Sequence, residues 1–154
     1  MREIRFRGNS VETNEQVFGH LFWFDDGRCF ISPKGTVIEG DKGQYPAEYK
    51  LRGLTCVEVD PRTVGQYTNQ KNHENIEIYE GDYVSKELDN GFDYGEFEGV
   101  VELIDGKWVI NNRVNHYEEL FTEVEQIEIL GNIYENPELL ETKKDWRPQA
   151  ISQR

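Results

Sequence analysis

The sequence predicts an all-β protein made of two packed β-rich halves. The second half is predicted to be a small, partly open SH3-like barrel with a short C-terminal helix. Two observations point to this class. The chain has 14 glycines but only two alanines, and its 12% aromatic content is typical of a folded core rather than a disordered chain. In addition, short runs of β-branched and aromatic residues alternate with turn residues along the chain.

The division into two halves rests on charge. A length of 154 residues suits one ordinary domain or two small β units. Residues 1–70 carry nine Lys and Arg against ten Asp and Glu, whereas residues 71–154 carry eight against twenty. We predict an N-terminal half at 1–70, a barrel half at 71–140 and a tail at 141–154, although 1–140 can also be counted as one domain.

This charge distribution bears on partners. The acidic half repels phosphate backbones, so direct nucleic-acid binding is disfavoured, whereas a host or phage protein with a basic surface becomes a possible partner.

The most apolar segment, residues 17–32, contains a candidate subunit interface. Asp26-Gly27 predicts a two-residue hairpin turn. The resulting cross-strand pairs are Phe24–Cys29, Trp23–Phe30 and Phe22–Ile31. Because both faces of this ribbon are apolar, it is either sandwiched within the fold or covered by another subunit. The candidate oligomer interface comprises Phe22, Trp23, Phe24 and Phe30.

Around this segment we predict short strands at 4–6, 36–38, 51–59 and 64–68. Residues 39–50 (EGDKGQYPAEYK) are expected to form an exposed loop. Residues 69–75 contain no apolar side chain and predict a turn or linker.

Residues 77–84 (EIYEGDYV) predict a strand, a sharp turn at Gly81 and a new strand. Glu80 and Asp82 flank the glycine. They could form an acid/base or metal-binding pair, or they could serve turn chemistry with a solvated carboxylate. The second interpretation is favoured, because the neighbouring sequence shows no partner group for catalysis.

Residues 100–110 predict the clearest hairpin, which turns at Asp105-Gly106 and pairs Leu103 with Trp108 and Val101 with Ile110. A single helical turn is predicted at 115–121, with Asn115 as its cap. A last strand at 126–134 and a helix beginning at Asn136 follow.

The sequence does not predict catalysis. The three histidines and two cysteines lack metal-ligand spacing, and no nucleophile or dinucleotide motif is present. We therefore predict a protein that is not an enzyme, with no catalytic residues, no metal and no cofactor. The N-terminus lacks an apolar signal segment and no apolar run reaches 18 residues, which predicts a cytoplasmic protein without membrane contact.

Four segments in order resemble the YopX family of phage and prophage proteins. They are residues 2–8, 60–68, 77–84 and 131–140, with smaller agreements at 17–19 and 99–101. The family commonly has glycine where Asn69 stands, and asparagine tolerates the same left-handed conformation. The resemblance implies a β-rich phage protein in the cytoplasm of a bacterial host, with no assigned activity and no catalytic residues.

We therefore expect a non-enzymatic, self-assembling protein-interaction module. Its candidate interaction surface comprises Tyr67, Tyr79, Glu80, Asp82, Tyr134 and Glu135. The alternative is a nucleic-acid-related module. It would be either a single-strand binder that stacks bases on exposed Tyr67, Tyr79 or Tyr83, or an acidic mimic of DNA. A third hypothesis is an enzyme that uses Glu80 and Asp82 with a buried tyrosine.

Overall fold

The computed structural model of the protein describes residues 1–89, 94–123 and 125–140. The described residues form thirteen strands in three sheets, so the predicted all-β class is confirmed. The chain divides into two compact units, Met1–Tyr67 and Thr68–Arg154, called unit 1 and unit 2 below. The predicted tail, 141–154, lies outside the described residues. No helix in the described part of the chain is long and apolar enough to cross a membrane.

Unit 1 is built on an antiparallel sheet whose strand order is β6-β3-β2-β1-β7. Its strands are β1 (Phe6–Asn9), β2 (Gln16–Trp23), β3 (Cys29–Pro33), β6 (Val57–Val59) and β7 (Gly65–Lys71). A separate two-stranded sheet consists of β4 (Glu39–Lys42) and β5 (Tyr49–Arg52). The core is a small cluster of Cys29, Ile31 and Val59, against which Phe6, Val17, Leu21 and Val64 pack.

Several predictions for unit 1 were wrong, including the continuous strand at 51–59, which is interrupted at 53–56 between β5 and β6. The first strand begins at Phe6, at the end of the predicted 4–6 segment, and residues 36–38 are not a strand. Residues 39–50 are not an irregular loop either, because β4 and β5 pair there. This pairing could not be predicted from apolar alternation, because its cross-strand partners are charged. Glu39 lies opposite Arg52, and Asp41 lies opposite Lys50.

The β2–β3 hairpin forms, but in a different register from the predicted one. Trp23 pairs with Cys29 and Phe22 with Phe30. The Phe24 amide donates to the Arg28 carbonyl, which leaves three residues in the loop, and Gly27 takes a φ of 89°. This is the three-residue loop in which the last position is left-handed, and it replaces the predicted two-residue turn.

Unit 2 contains the end of β7 and six further strands. They are β8 (Glu77–Tyr79), β9 (Asp82–Asp89), β10 (Tyr94–Ile104), β11 (Lys107–Asn111), β12 (Tyr117–Glu119) and β13 (Ile127–Asn132). Five form a sheet in the order β12-β11-β10-β9-β13, which does not close into a barrel, and β8 lies beside β7. The core cluster comprises Ile78, Val84, Val101, Ile110, Leu120 and Ile127.

The β10–β11 hairpin confirms its prediction. Leu103 pairs with Trp108 and Val101 with Ile110. Asp105 and Gly106 have φ values of 50° and 76°, as a type I′ turn requires.

The predicted helical turn at 115–121 was wrong. Asn112 Oδ1 accepts the amides of Val114, Asn115 and His116 at 2.9–3.1 Å, which forms a tight turn before β12 begins. The side chain that organises this turn is therefore Asn112, rather than the predicted cap Asn115. Strand β13 lies within the predicted 126–134, and helical residues begin at 138, close to the predicted start.

Two asparagines take the left-handed backbone conformation near the start of unit 2. Asn69 has a φ of 62°, as its alignment with a family glycine predicts, and Asn75 has a φ of 66°. Strand β7 runs through Asn69 to Lys71, so the predicted turn begins only at Asn72. The Asn72 side chain closes this turn by accepting the amides of Glu74 and Ile76.

Candidate interaction surfaces

The turn at Glu80-Gly81-Asp82 is a structural junction. Asp82 is buried, and its Oδ2 accepts the Tyr79 amide at 2.8 Å. The Gly81 amide donates to the Val101 carbonyl at 2.9 Å. A side chain at Gly81 would clash, since its Cβ would lie 2.7 Å from the Tyr134 ring. Asp82 stabilises the turn by a side-chain hydrogen bond, as predicted. Its carboxylate is buried, so the prediction of a solvated carboxylate was wrong.

The tyrosines proposed as an exposed stacking surface are buried. Tyr67, Tyr79 and Tyr83 are each no more than 5% exposed. The Arg5 guanidinium lies over the Tyr67 ring, 4.5 Å from its centroid. The Tyr83 hydroxyl donates to Glu98 Oε2 at 3.3 Å, and burial, reinforced by that carboxylate, raises the pKa of Tyr83. The expectation of exposed tyrosines was wrong, because these rings pack within the fold.

The remaining members of the predicted surface are more accessible. Glu80 and Tyr134 are half-buried, and Glu135 is exposed. Asn132 Oδ1 accepts the Glu135 amide at 2.9 Å, which ties the end of β13 to the following turn. The Tyr134 ring lies against Gly81. This contact belongs to the structural junction at Glu80-Gly81-Asp82 described above.

The aromatic residues of the β2–β3 hairpin line an open groove in unit 1 of about 630 Å³. We call it the aromatic groove. Its lining comprises Phe22, Phe24, Asp26, Arg28, Phe30, Leu54 and Cys56. The Phe24 and Phe30 rings meet edge to face with centroids 5.7 Å apart, which is a favourable aromatic geometry.

The observed register creates this groove. In the predicted register, Phe22 and Phe24 would lie opposite Ile31 and Cys29, on the buried face. A shift of one residue moves side chains to the other face of a sheet. Phe22 and Phe24 therefore join Phe30 on the outer face. Trp23 lies opposite Cys29 instead, and its position at the end of β2 leaves it 58% exposed.

The rim of the groove is charged but internally paired. Asp26 accepts the backbone amide of Arg28 at 2.9 Å and its Nε at 2.8 Å. These bonds, the backbone one first, lower the pKa of Asp26. The Arg28 guanidinium also lies 5.5 Å from the Phe30 ring centroid. An apolar floor with a self-neutralised rim suits apolar or aromatic side chains as ligands.

A second groove, of about 280 Å³, lies within unit 2 and is acidic. It is lined by His73, Glu74, Ser85, Glu87, Glu96, Gln126 and Glu128. The sequence predicted an acidic half, but not which carboxylates meet. The gathering of Glu87, Glu96 and Glu128 depends on strand pairing, which brings β10 and β13 to either side of β9. We call this the acidic groove.

Sequence reasoning also missed a buried lysine. The Lys86 side chain is 4% exposed, and its Nζ lies 2.8 Å from Glu125 Oε2 and 3.8 Å from Glu118 Oε2. One signal was available in the sequence: Lys86 stands two residues after Val84, so alternation assigns it to the core face of β9. The two carboxylates come from segments distant in sequence, which no local pattern connects to it.

No three His, Cys, Asp or Glu side chains converge as metal ligands in residues 1–89, 94–123 and 125–140. The two cysteines differ in environment. Cys29 is buried, and desolvation raises the pKa of its thiol, whereas Cys56 is half-buried beside the aromatic groove.

Comparison with solved structures finds the crystal structure of protein EF1440 from Enterococcus faecalis. The two chains are 19% identical, and the match covers 91% of this chain and 99% of that one, with a TM-score of 0.47. No curated protein matches the sequence. The family model described as YopX protein matches residues 5–141, the greater part of the chain. The ordered resemblance of sequence segments is thereby confirmed, and the chain belongs to the YopX family.

Proposed function

We propose that this protein is a non-enzymatic interaction module that self-associates through the aromatic groove of unit 1. The proposal includes the setting that the family resemblance implies, a phage or prophage product in the cytoplasm of a bacterial host. The observation that carries it is the exposure of the groove. Phe24 is 52% exposed although it belongs to the residue class most often buried. Aromatic side chains grouped in an exposed patch are typical of interface centres.

Charge supports a second copy of the chain as the occupant. Residues 1–67 carry nine Lys and Arg against ten Asp and Glu, whereas residues 68–154 carry eight against twenty. Two copies that meet through unit 2 would bring like charges together, which opposes association. Unit 1 is nearly neutral, so contact there avoids most of this repulsion.

The polar groups around the groove support a role without catalysis. Asp26 and Arg28 are committed to each other, and the lining otherwise consists of apolar side chains and the Cys56 thiol. A general acid or base needs a free titrating group within reach of a bound substrate. Apart from the Cys56 thiol, the described residues of the lining offer no such group, so the groove suits binding better than proton transfer.

The test is light scattering coupled to size exclusion, at two salt concentrations and over a range of protein concentrations. We expect the wild-type protein to be an oligomer and Phe24→Ser to be a monomer. Phe121→Ser is the matched control, since it makes the same chemical change at an exposed phenylalanine of unit 2. A wild-type protein that stays monomeric throughout would overturn the proposal.

A second candidate function is favoured by the acidic groove. Its four glutamates could bind a protein with a basic surface, including one that normally binds DNA. Host proteins retained on immobilised DNA should then be eluted by the wild-type protein, and less by Glu87→Gln/Glu128→Gln. Glu12→Gln/Glu15→Gln in unit 1 is the charge-matched control. Equal elution by both double variants would contradict this role.

A further inference from the structure

Residues 37–52, which we call the arm, contain the two-stranded sheet of β4 and β5. The strands pair with each other from Glu39–Arg52 to Lys42–Tyr49. In the described chain they join neither of the larger sheets. Of the eight strand residues, seven are exposed and only Gly40 is half-buried. The arm therefore lacks a core of its own.

The arm has two chemically different faces. Residues directly opposite each other share a face, so Glu39, Arg52, Asp41 and Lys50 lie together. Arg52 Nε lies 3.0 Å from Asp41 Oδ2 across this face. The other face carries Leu51 and Tyr49, with the Tyr49 ring packed over Gly40, and the exposed Lys42 lies opposite Tyr49 at the end of this face. One face is thus ion-paired and suited to water, and the other is exposed and mainly apolar, with Lys42 at one end.

An isolated two-stranded ribbon is marginally stable in water and normally needs something against its apolar face. Five large apolar side chains of the arm are exposed, including the two on this face. The set comprises Val37, Ile38, Tyr45, Tyr49 and Leu51. Among the described residues this face is exposed, and the aromatic groove is also open.

The two uncovered surfaces are neighbours in the chain. Leu54 and Cys56, which line the groove, follow directly after the arm. Gly35 and Gly53 flank the arm with φ values of 87° and 68°, and no residue of the arm is among the described residues that line the groove. The arm thus leaves its own groove unfilled despite its short tether, which favours a groove on another molecule.

We propose that the apolar face of the arm of one copy packs into the aromatic groove of a second copy. This inference rests on the proposed self-association and specifies the segment that fills the groove. Leu51 and Tyr49 supply an aliphatic and an aromatic side chain to a floor of phenylalanines. The ion-paired face stays towards water. Both surfaces belong to the nearly neutral unit 1, so the contact avoids the charge of unit 2.

The native Cys56 allows a direct test in the full-length protein. Leu51→Cys places a thiol on the apolar face of the arm, at an exposed position whose replacement does not disturb the core. Under mild oxidation we expect a disulfide between Cys56 of one copy and the new thiol of another. A non-reducing gel would show the covalent dimer, and peptide mass spectrometry would identify the linkage. Adding Cys56→Ser should abolish it.

Lys50→Cys is the matched control, because it lies one residue away on the ion-paired face and should give little of this dimer. Equal cross-linking from position 50 would overturn the inference, and so would an intramolecular link from position 51 to Cys56. An oligomeric wild type that yields no link from position 51 would overturn the arm's role but leave self-association standing. A monomeric wild type would overturn both proposals.

Discussion

The two units place their apolar residues differently. Unit 2 gathers six aliphatic side chains into one buried cluster and carries the chain's excess of acidic residues. Unit 1 has a buried cluster of three residues and leaves several large apolar side chains in solvent. The contrast is one of degree: unit 2 has the larger buried cluster, whereas unit 1 leaves more large apolar side chains exposed.

The largest expected effect tests the difference between the cores. Ile110 and Ile31 are both fully buried, so truncating either to alanine removes the same atoms. We expect Ile110→Ala to lower the free energy of unfolding by about 2–5 kcal/mol, through lost transfer energy and a cavity. Ile31→Ala should cost less, because its smaller cluster can relax around the gap. Denaturant unfolding monitored by tryptophan fluorescence measures both, and a larger loss for Ile31→Ala would break the comparison.

A smaller effect is expected at the buried charge of unit 2. Lys86→Ala leaves Glu118 and Glu125 without their shared cation. Because those carboxylates are 34% and 31% exposed, we expect a loss of about 1–3 kcal/mol, less than for a fully buried pair. The control is Lys107→Ala, which removes the exposed pair with Glu119. That loss should stay within about 0.5 kcal/mol in the same unfolding assay. Equal losses would show that burial of Lys86 is unimportant.

The smallest effect concerns pH and unit 1. Asp60 caps the 3-10 turn Pro61–Thr63, and its hydrogen bonds from the Arg62 side chain and then the Arg62 amide lower its pKa. A carboxylate with a lowered folded-state pKa stabilises the fold above its unfolded pKa, about 3.9, and this contribution disappears as pH falls through the folded value. At pH 7, the free energy of unfolding of the wild type should exceed that of Asp60→Asn by at most about 1 kcal/mol.

The stability difference between wild type and Asp60→Asn should shrink below about pH 4, as measured by urea unfolding across pH. A difference that stays constant down to pH 2 would show that the Asp60 charge does not contribute.

The two Asp-Gly hairpins show what the sequence could predict and what it could not. Around Asp105-Gly106, a two-residue turn with both positions left-handed fixes the register, and the predicted pairing was confirmed. Around Asp26-Gly27 both faces are apolar, so alternation cannot select between registers that differ by one residue. The loop of the β2–β3 hairpin has three residues instead of the predicted two. Three of the four residues predicted as an oligomer interface, Phe22, Phe24 and Phe30, line the aromatic groove, whereas Trp23 does not.

Two other local features lay beyond hydrophobic patterning. The arm is held by cross-strand charges and by a tyrosine over Gly40, which resemble loop composition when read along the chain. The turn before β12 depends on one asparagine side chain that captures three amides. In both cases polar contacts between specific atoms decide the structure, and periodicity does not report them.

The concentration of acids in unit 2 would also limit the size of the assembly that we propose. Each added copy brings thirteen net negative charges. The number of repelling pairs grows roughly as the square of the copy number, whereas contacts formed at an interface grow in proportion to it. Growth in dilute buffer would therefore favour a small closed complex over an open-ended chain of copies. Added salt, which shortens the range of the repulsion, would relax this limit.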